Sequence, residues 1–305
     1  MSRVIALFYN AEQRRLRALW RLLAQMGIFL LLIMAAATAL RASDAADAAW
    51  SLTPPLAAIL SIHLACRLLD RRPLGSLGLQ VGRRWWAELV VGGLLGSAAV
   101  GAVVAALCLL GLASVQGRSA AGSAPGNTGA PLTWAIAYYV VAGLAEELLF
   151  RGYWLRNVAE GLTGSRLAPR AALAVSALIC SILFALAHGG HNGLPVLAAL
   201  NTFAAGLLLC LMVALTGRLA LAVGFHIAWN ITQGPVFGLS VSGLDDLSGG
   251  VLQTVIAPDA PALLVGGAYG PEGGLLVTAS LVLVAGLLWA WQARRADRTL
   301  PDSAA

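Results

Sequence analysis

Eight apolar runs, each about twenty residues long, recur near residues 22–40, 50–69, 87–112, 131–155, 171–188, 194–215, 219–237 and 274–292, with polar residues gathered between them. A run of this length crosses a hydrocarbon core of about 30 Å as a helix, in which every backbone polar group is satisfied internally. The pattern predicts an all-α fold, a polytopic membrane helical bundle of about eight transmembrane helices. Residues 1–21 form a basic N-terminal segment, cytoplasmic or interfacial, residues 22–292 the membrane domain, and residues 293–305 a cytoplasmic tail. The stretch 113–130, rich in Gly, Ser and Ala, and the stretch 232–273, punctuated by Gly and Pro, read as loops and not as further domains.

Composition sharpens this. With 59% hydrophobic and 11% charged residues and a mean hydropathy of +0.81, the chain has too little polar surface to cover a water-soluble globule. The formal charge of +6 does not point to nucleic acid, because the basic residues are scattered between apolar spans. Eighteen of the 20 basic residues fall on one side of the predicted topology, and only Arg41 and Arg118 on the other, together with Asp44, Asp47, Asp245, Asp246, Asp259 and Glu272. The positive-inside rule therefore places both termini in the cytoplasm, with the bacterial inner membrane as the expected location. All 20 basic residues are arginine, a hint of a G+C-rich genome.

Other features read as structural. Cys66, Cys108, Cys180 and Cys210 lie in apolar runs without metal-site spacing and are expected to be small core residues. The first run is long for a signal peptide and is read as a retained anchor. Gly92, Gly96 and Gly101 in the third span are expected to let helix backbones approach closely. The Arg14 to Trp20 stretch has a basic and an apolar face, suited either to the membrane surface or to simple flanking charge.

Ionisable residues inside a span cost about 2.5–3.5 kcal/mol each on insertion scales, so each needs a partner or a task. The fourth span holds Glu146, Glu147 and Arg151 within two helical turns. Glu147 and Arg151, four apart, share a face, which leaves Glu146, about 100° round the helix, to face a cavity. The fifth span ends in Phe184 to His188, and the seventh contains His226 and Asn230, again four apart. His63 in the second span and His191 in a loop are read as ordinary interior polar residues. Convergence sets the other positions apart: carboxylates, two histidines and an asparagine in separate spans of a chain otherwise nearly free of such groups.

The order Glu-Glu-x-x-x-Arg, Phe-x-x-x-His, His-x-x-x-Asn resembles the CPBP family of intramembrane endopeptidases (CAAX protease and bacteriocin-processing, or Abi), with a core over residues 130–235. The Leu-Gly-Leu at 77–79 and Gly270-Pro-Glu-Gly-Gly274 are similar to that family as well. The resemblance implies that Glu146 and His188 activate a water molecule, that His226 and Asn230 stabilise the oxyanion, and that Glu147 and Arg151 support them. It implies no cofactor, and a protein or peptide substrate, membrane-associated or lipidated, within the lipid bilayer. Family members process the C-terminal tails of prenylated proteins or are linked to peptide maturation and bacteriocin immunity.

Two alternatives stand beside this. Glu146, His188 and His226 are a conceivable zinc set, although His-Glu-x-x-His is absent and Asn is an uncommon zinc ligand. A transporter, or a scaffold or immunity protein, would retain polar residues in its spans without proteolysis; no internal repeat supports a transporter. No Gly-x-Ser-Gly or Gly-x-Gly-Asp motif marks a serine or aspartyl intramembrane protease. With the spans drawn as above, Glu146 lies toward the cytoplasmic half and His188 near the outer end. Shared chemistry then requires the fourth span to run past Arg156 and the fifth to begin near Ala168.

Overall fold

The computed structural model describes residues 3–40, 46–117, 132–163, 167–189, 195–244 and 250–297. The chain opens with a short helix α1 (Arg3–Phe8) and a two-stranded hairpin of β1 (Tyr9–Asn10) and β2 (Arg15–Leu16). The helices α2 (Ala18–Leu40), α3 (Ala46–Ala65) and α4 (Arg83–Leu109) follow. Strand β3 (Ala113–Gly117) precedes α5 (Leu132–Glu146), which continues through a π-helical stretch, Glu147–Trp154, into α6 (Leu155–Thr163). Then come α7 (Pro169–Ala187), α8 (Val196–Thr216), α9 (Ala220–Ile231), β4 (Leu252–Ile256), α10 (Ala262–Val265) and α11 (Leu275–Asp297).

Seven helices among the described residues are long and apolar enough to cross a membrane, and the protein is an integral membrane protein with a polytopic helical bundle. The run 219–237, read as an eighth span, is helical over residues 220–236, about the shortest length that crosses a bilayer, and stands beside those seven. It comprises the twelve-residue α9 and a π-helical turn, Thr232–Val236, closed around Pro235. Proline cannot donate to the helical ladder, and the chain leaves the helix there. The Arg14 to Trp20 stretch is divided between the hairpin and the first turn of α2. Trp20 Nε1 and Arg17 Nε donate to the carbonyls of Leu7 and Ala6, tying α1 to the start of α2.

The fourth apolar run is one helical rod from Leu132 to Thr163, and α7 begins at Pro169, whose fixed φ suits a first helical turn. Both changes bring Glu146 and His188 to a common depth. Elsewhere, Gly217 at φ 70° ends α8, a left-handed cap that glycine adopts without strain.

Small residues set the closest packing. A Cβ on Gly92 would lie 2.1 Å from the Leu221 carbonyl oxygen, one on Gly96 2.4 Å from that of Phe225, and one on Gly224 2.1 Å from that of Leu89. The backbones of α4 and α9 therefore touch, as expected for Gly92 and Gly96. Gly101 faces open space, with no atom within 4 Å of its would-be Cβ, and has no part in that contact. At the start of α9 the Leu219 N–H and the Trp85 indole both donate to the Gly78 carbonyl. Gly78 stands at φ 100°, where a side chain would be strained. The Leu-Gly-Leu turn thus fixes the entrance of α9 and, through it, the register of His226.

The four cysteines are free thiols, three buried and Cys108 partly so, in keeping with a packing role. Asp70 is fully buried and accepts hydrogen bonds from Arg21 and Arg72, while Glu160 accepts from Arg15, Arg21 and Arg72. Burial opposes the charge of Arg72, but its hydrogen bonds to Asp70 and Glu160 more than offset this and hold its pKa above the usual value. These pairs join α2, the segment after α3, and α6 into one layer.

Candidate active site

The site grows from the junction of α5 and the π-helical stretch. Glu146 ends the α-helical turns and Glu147 begins the wide ones; hydrogen bonding there runs to the fifth residue back, as from the Leu155 N–H to the Phe150 carbonyl. Such stretches often mark functional sites, because they shift side chains out of α-helical phase.

Glu147 and Arg151 are both fully buried. Arg151 Nη1 donates to Glu147 Oε1 at 2.9 Å, and the guanidinium carbon lies 4.1 Å from the centre of the Phe184 ring. The same Glu147 oxygen accepts a hydrogen bond from His226 Nδ1 at 2.9 Å. The ion pair expected from the i, i+4 spacing is therefore present, and it also holds a histidine from α9.

His188 caps α7, and its Nδ1 donates to the Phe184 carbonyl at 2.8 Å. With Nδ1 of both imidazoles committed to oxygen acceptors, both rings present Nε2 to Glu146. The Glu146 Oε2 atom is 3.8 Å from His188 Nε2 and 3.9 Å from His226 Nε2. It is buried and makes no hydrogen bond within the described structure. These separations are too long for direct hydrogen bonds and suit one small polar molecule shared by the three groups.

Asn230, one turn beyond His226 on α9, lines the same cavity as His188 and His226. Glu146, Glu147, Arg151, His188, His226 and Asn230 are thus gathered in one place. His63 is half-buried on α3 and lies outside this cavity. His191 falls outside the described residues.

The sequence reading gave several cavity residues no role in the site. Phe184 contacts Arg151, His188 and His226, the two imidazole centres lying 4.5 and 6.0 Å from its own. Glu272, read as a residue of an external loop, folds into the cavity wall. Its Oε1 accepts from Trp229 Nε1 at 3.1 Å, and its Oε2 accepts from the Ser242 N–H and hydroxyl at 2.6 and 2.9 Å. Asn201 on α8 donates to the Glu272 and Gly274 carbonyls at 2.8 and 3.0 Å. Burial, with Glu272 as a neighbouring charge, pushes the Tyr269 hydroxyl up to about 12. An asparagine in an apolar span and the Gly-Pro-Glu-Gly-Gly turn were the available signals.

For a metal ion, the donor atoms are Glu146 Oε2 and the two Nε2 atoms. The free Nε2 atoms, each set by an oxygen acceptor on Nδ1, are in the form that metal-bound histidines adopt. Among the described residues, however, no group of three or more His, Cys, Asp or Glu is spaced to hold a metal ion.

Residues 128–232 match the family model described as type II CAAX prenyl endopeptidase Rce1-like, over roughly a third of the chain. The matched stretch contains all six of the gathered residues. No curated protein matches the chain.

Proposed function

As the chain carries the Rce1-like segment of the type II CAAX prenyl endopeptidases, the family to which the CPBP resemblance also leads, we propose that it hydrolyses peptide bonds within the membrane, with Glu146 as general base. The observation that carries this is the convergence of two Nε2 atoms on the buried Oε2 of Glu146.

In this reading a water molecule lies between Glu146 and His188. The Glu146 carboxylate takes its proton while His188 Nε2 accepts a second hydrogen bond and orients it. The oxygen attacks the scissile carbonyl, whose oxygen becomes an oxyanion. His226 and Asn230 donate to it. Because His226 Nδ1 already donates to Glu147, its Nε2 donates only as the imidazolium, and the Glu147 carboxylate stabilises that charge. Glu146 then passes its proton to the leaving amine. A positioned base contributes about 10²–10⁴-fold and an oxyanion donor about 10²–10³-fold.

The substrate in this reading is a protein or peptide presented at the membrane, lipidated or otherwise membrane-associated. Both termini lie in the cytoplasm, by the arginine distribution. The second reading, a zinc-dependent protease using Glu146, His188 and His226, is favoured by one observation, the free Nε2 atom on each imidazole.

The test is cleavage of a quenched-fluorescence peptide library by purified protein in detergent, with Glu146→Ala and His188→Ala alongside, each with and without a chelator. Chelator-resistant cleavage lost in both variants is the expected result. Chelator-sensitive cleavage restored by zinc selects the metal reading. A folded wild type that cleaves nothing, while moving a solute in a Glu146-dependent transport assay, sinks both in favour of a transporter.

A further inference from the structure

Away from the catalytic cavity, an open groove of about 1210 Å³ runs between α2, α6 and α7. Arg17 and Arg21 stand at the start of α2, Arg72 follows α3, and Arg156 lies on α6; together they make one end of the groove basic. Farther along α2 and α7 the lining is apolar, with Leu22, Met26, Ile179 and Leu183.

The ion pairs described above account for only part of this charge. Four arginines and one glutamate are among the lining residues. Asp70, buried beneath them, has Arg15 within 3.7 Å as a further cation. Arg21, only 2% exposed, keeps a buried Nε without a hydrogen-bond partner, as do Arg72 and Arg156. Arg156 otherwise makes one long contact, 3.4 Å to the Gly217 carbonyl, and Arg17 commits only Nε, to Ala6. Excess positive charge beside apolar walls calls for an anion with an apolar body. A soluble anion would leave the walls bare, and a neutral lipid would leave the arginines unmatched.

We propose that this groove binds an anionic phospholipid of the surrounding leaflet, with its phosphate among Arg17, Arg72 and Arg156 and its acyl chains along α7. Basic pockets between membrane helices are suited to such headgroups. Arg17 and Arg156 belong to no part of the proteolytic site, so the inference stands whether or not the chain cleaves peptides.

The experiment measures thermal unfolding of the full chain in neutral detergent as phosphatidylglycerol, phosphatidylcholine or inorganic phosphate is added. Arg17→Gln/Arg156→Gln is compared with a control, Arg84→Gln, at an exposed arginine on α4. Phosphatidylglycerol should raise the melting temperature of wild type and control well above phosphatidylcholine. Its apparent affinity should fall about fivefold for each arginine neutralised. Equal stabilisation of wild type by the two lipids, an undiminished effect in the double variant, or full reproduction by inorganic phosphate would each overturn the proposal. The wild-type lipid comparison decides even where the double variant fails to fold, and Arg17→Gln alone then supplies the second reading.

Discussion

His226 Nδ1 and Glu147 Oε1 stand 2.9 Å apart, on side chains 10% and 0% exposed. The histidine comes from α9 and the carboxylate from the rod that carries Glu146, so this hydrogen bond locks the two halves of the site together. It also fixes which imidazole nitrogen faces Glu146. Arg151 holds the same oxygen and prevents the carboxylate from turning away.

Glu147→Gln should keep the shape of that contact and lose its charge. We expect kcat to fall about 10²–10³-fold with little change in KM, as for loss of an oxyanion donor. Arg151 would then be buried without a counter-charge, at a cost of roughly 3–5 kcal/mol that a detergent melt would register. Glu147→Gln/Arg151→Met should regain stability but not rate. Recovery of rate together with stability would reduce the pair to a structural role.

His188 sits where a helix ends, held by a single backbone carbonyl. His188→Ala should lower kcat about 10²–10⁴-fold and leave melting nearly unchanged, since the ring is partly exposed. His63→Ala, outside the cavity, is the matched control and should retain full activity. Equal losses in both variants would show that unfolding, and not chemistry, is being read.

Gly224→Ala should be among the most damaging small substitutions, because its Cβ would meet the Leu89 carbonyl at 2.1 Å. Overpacking of this kind costs about 1–3 kcal/mol or more, read as a lower melting temperature and a poorer yield of folded protein. Gly101→Ala, with open space around it, should be neutral. If Gly224→Ala melts like wild type, the α4 and α9 backbones are not in contact.

Glu272→Ala removes the acceptor for three donors on Trp229 and Ser242. A loss of about 1–3 kcal/mol is expected for buried donors left unpaired. The rate should fall less than in Glu146→Ala, because Glu272 acts through Trp229 on α9 and not on the reacting atoms. Glu272→Gln, which keeps acceptor capacity on its carbonyl oxygen, should recover part of the stability.

The charged and imidazole positions were readable in the sequence because hydrocarbon makes each of them conspicuous. Glu146, Glu147, Arg151, His188, His226 and Asn230 interrupt runs that are otherwise apolar, and their i, i+4 spacings needed no tertiary knowledge. Phe184 was quoted in its motif, yet its place against Arg151 and both imidazoles depends on how α7 crosses the rod. Glu272 was hidden for the same reason: a loop acid looks solvated until the loop folds inward over Asn201. Gly101 shows the converse, since its identity matches Gly92 and Gly96 while its helix face does not. The mismatch in depth between Glu146 and His188 came from ending one apolar run too early, where the polar residues of α6 interrupt hydropathy but not the helix.

The rod from Leu132 to Thr163 is wound at two pitches, tight on either side of Glu147–Trp154 and wide within it. Like two dials on one shaft, its ends are indexed separately: Glu146 is turned toward the histidines, and Glu160 toward the arginines of α2 and the segment after α3. Deleting a single residue from the tight turns between Leu155 and Glu160 would shorten the rod by only about 1.5 Å. It would also swing one end by about 100° relative to the other. For this helix, a lost codon is a change of bearing far more than of length, and one of the two charged ends would have to abandon its partners.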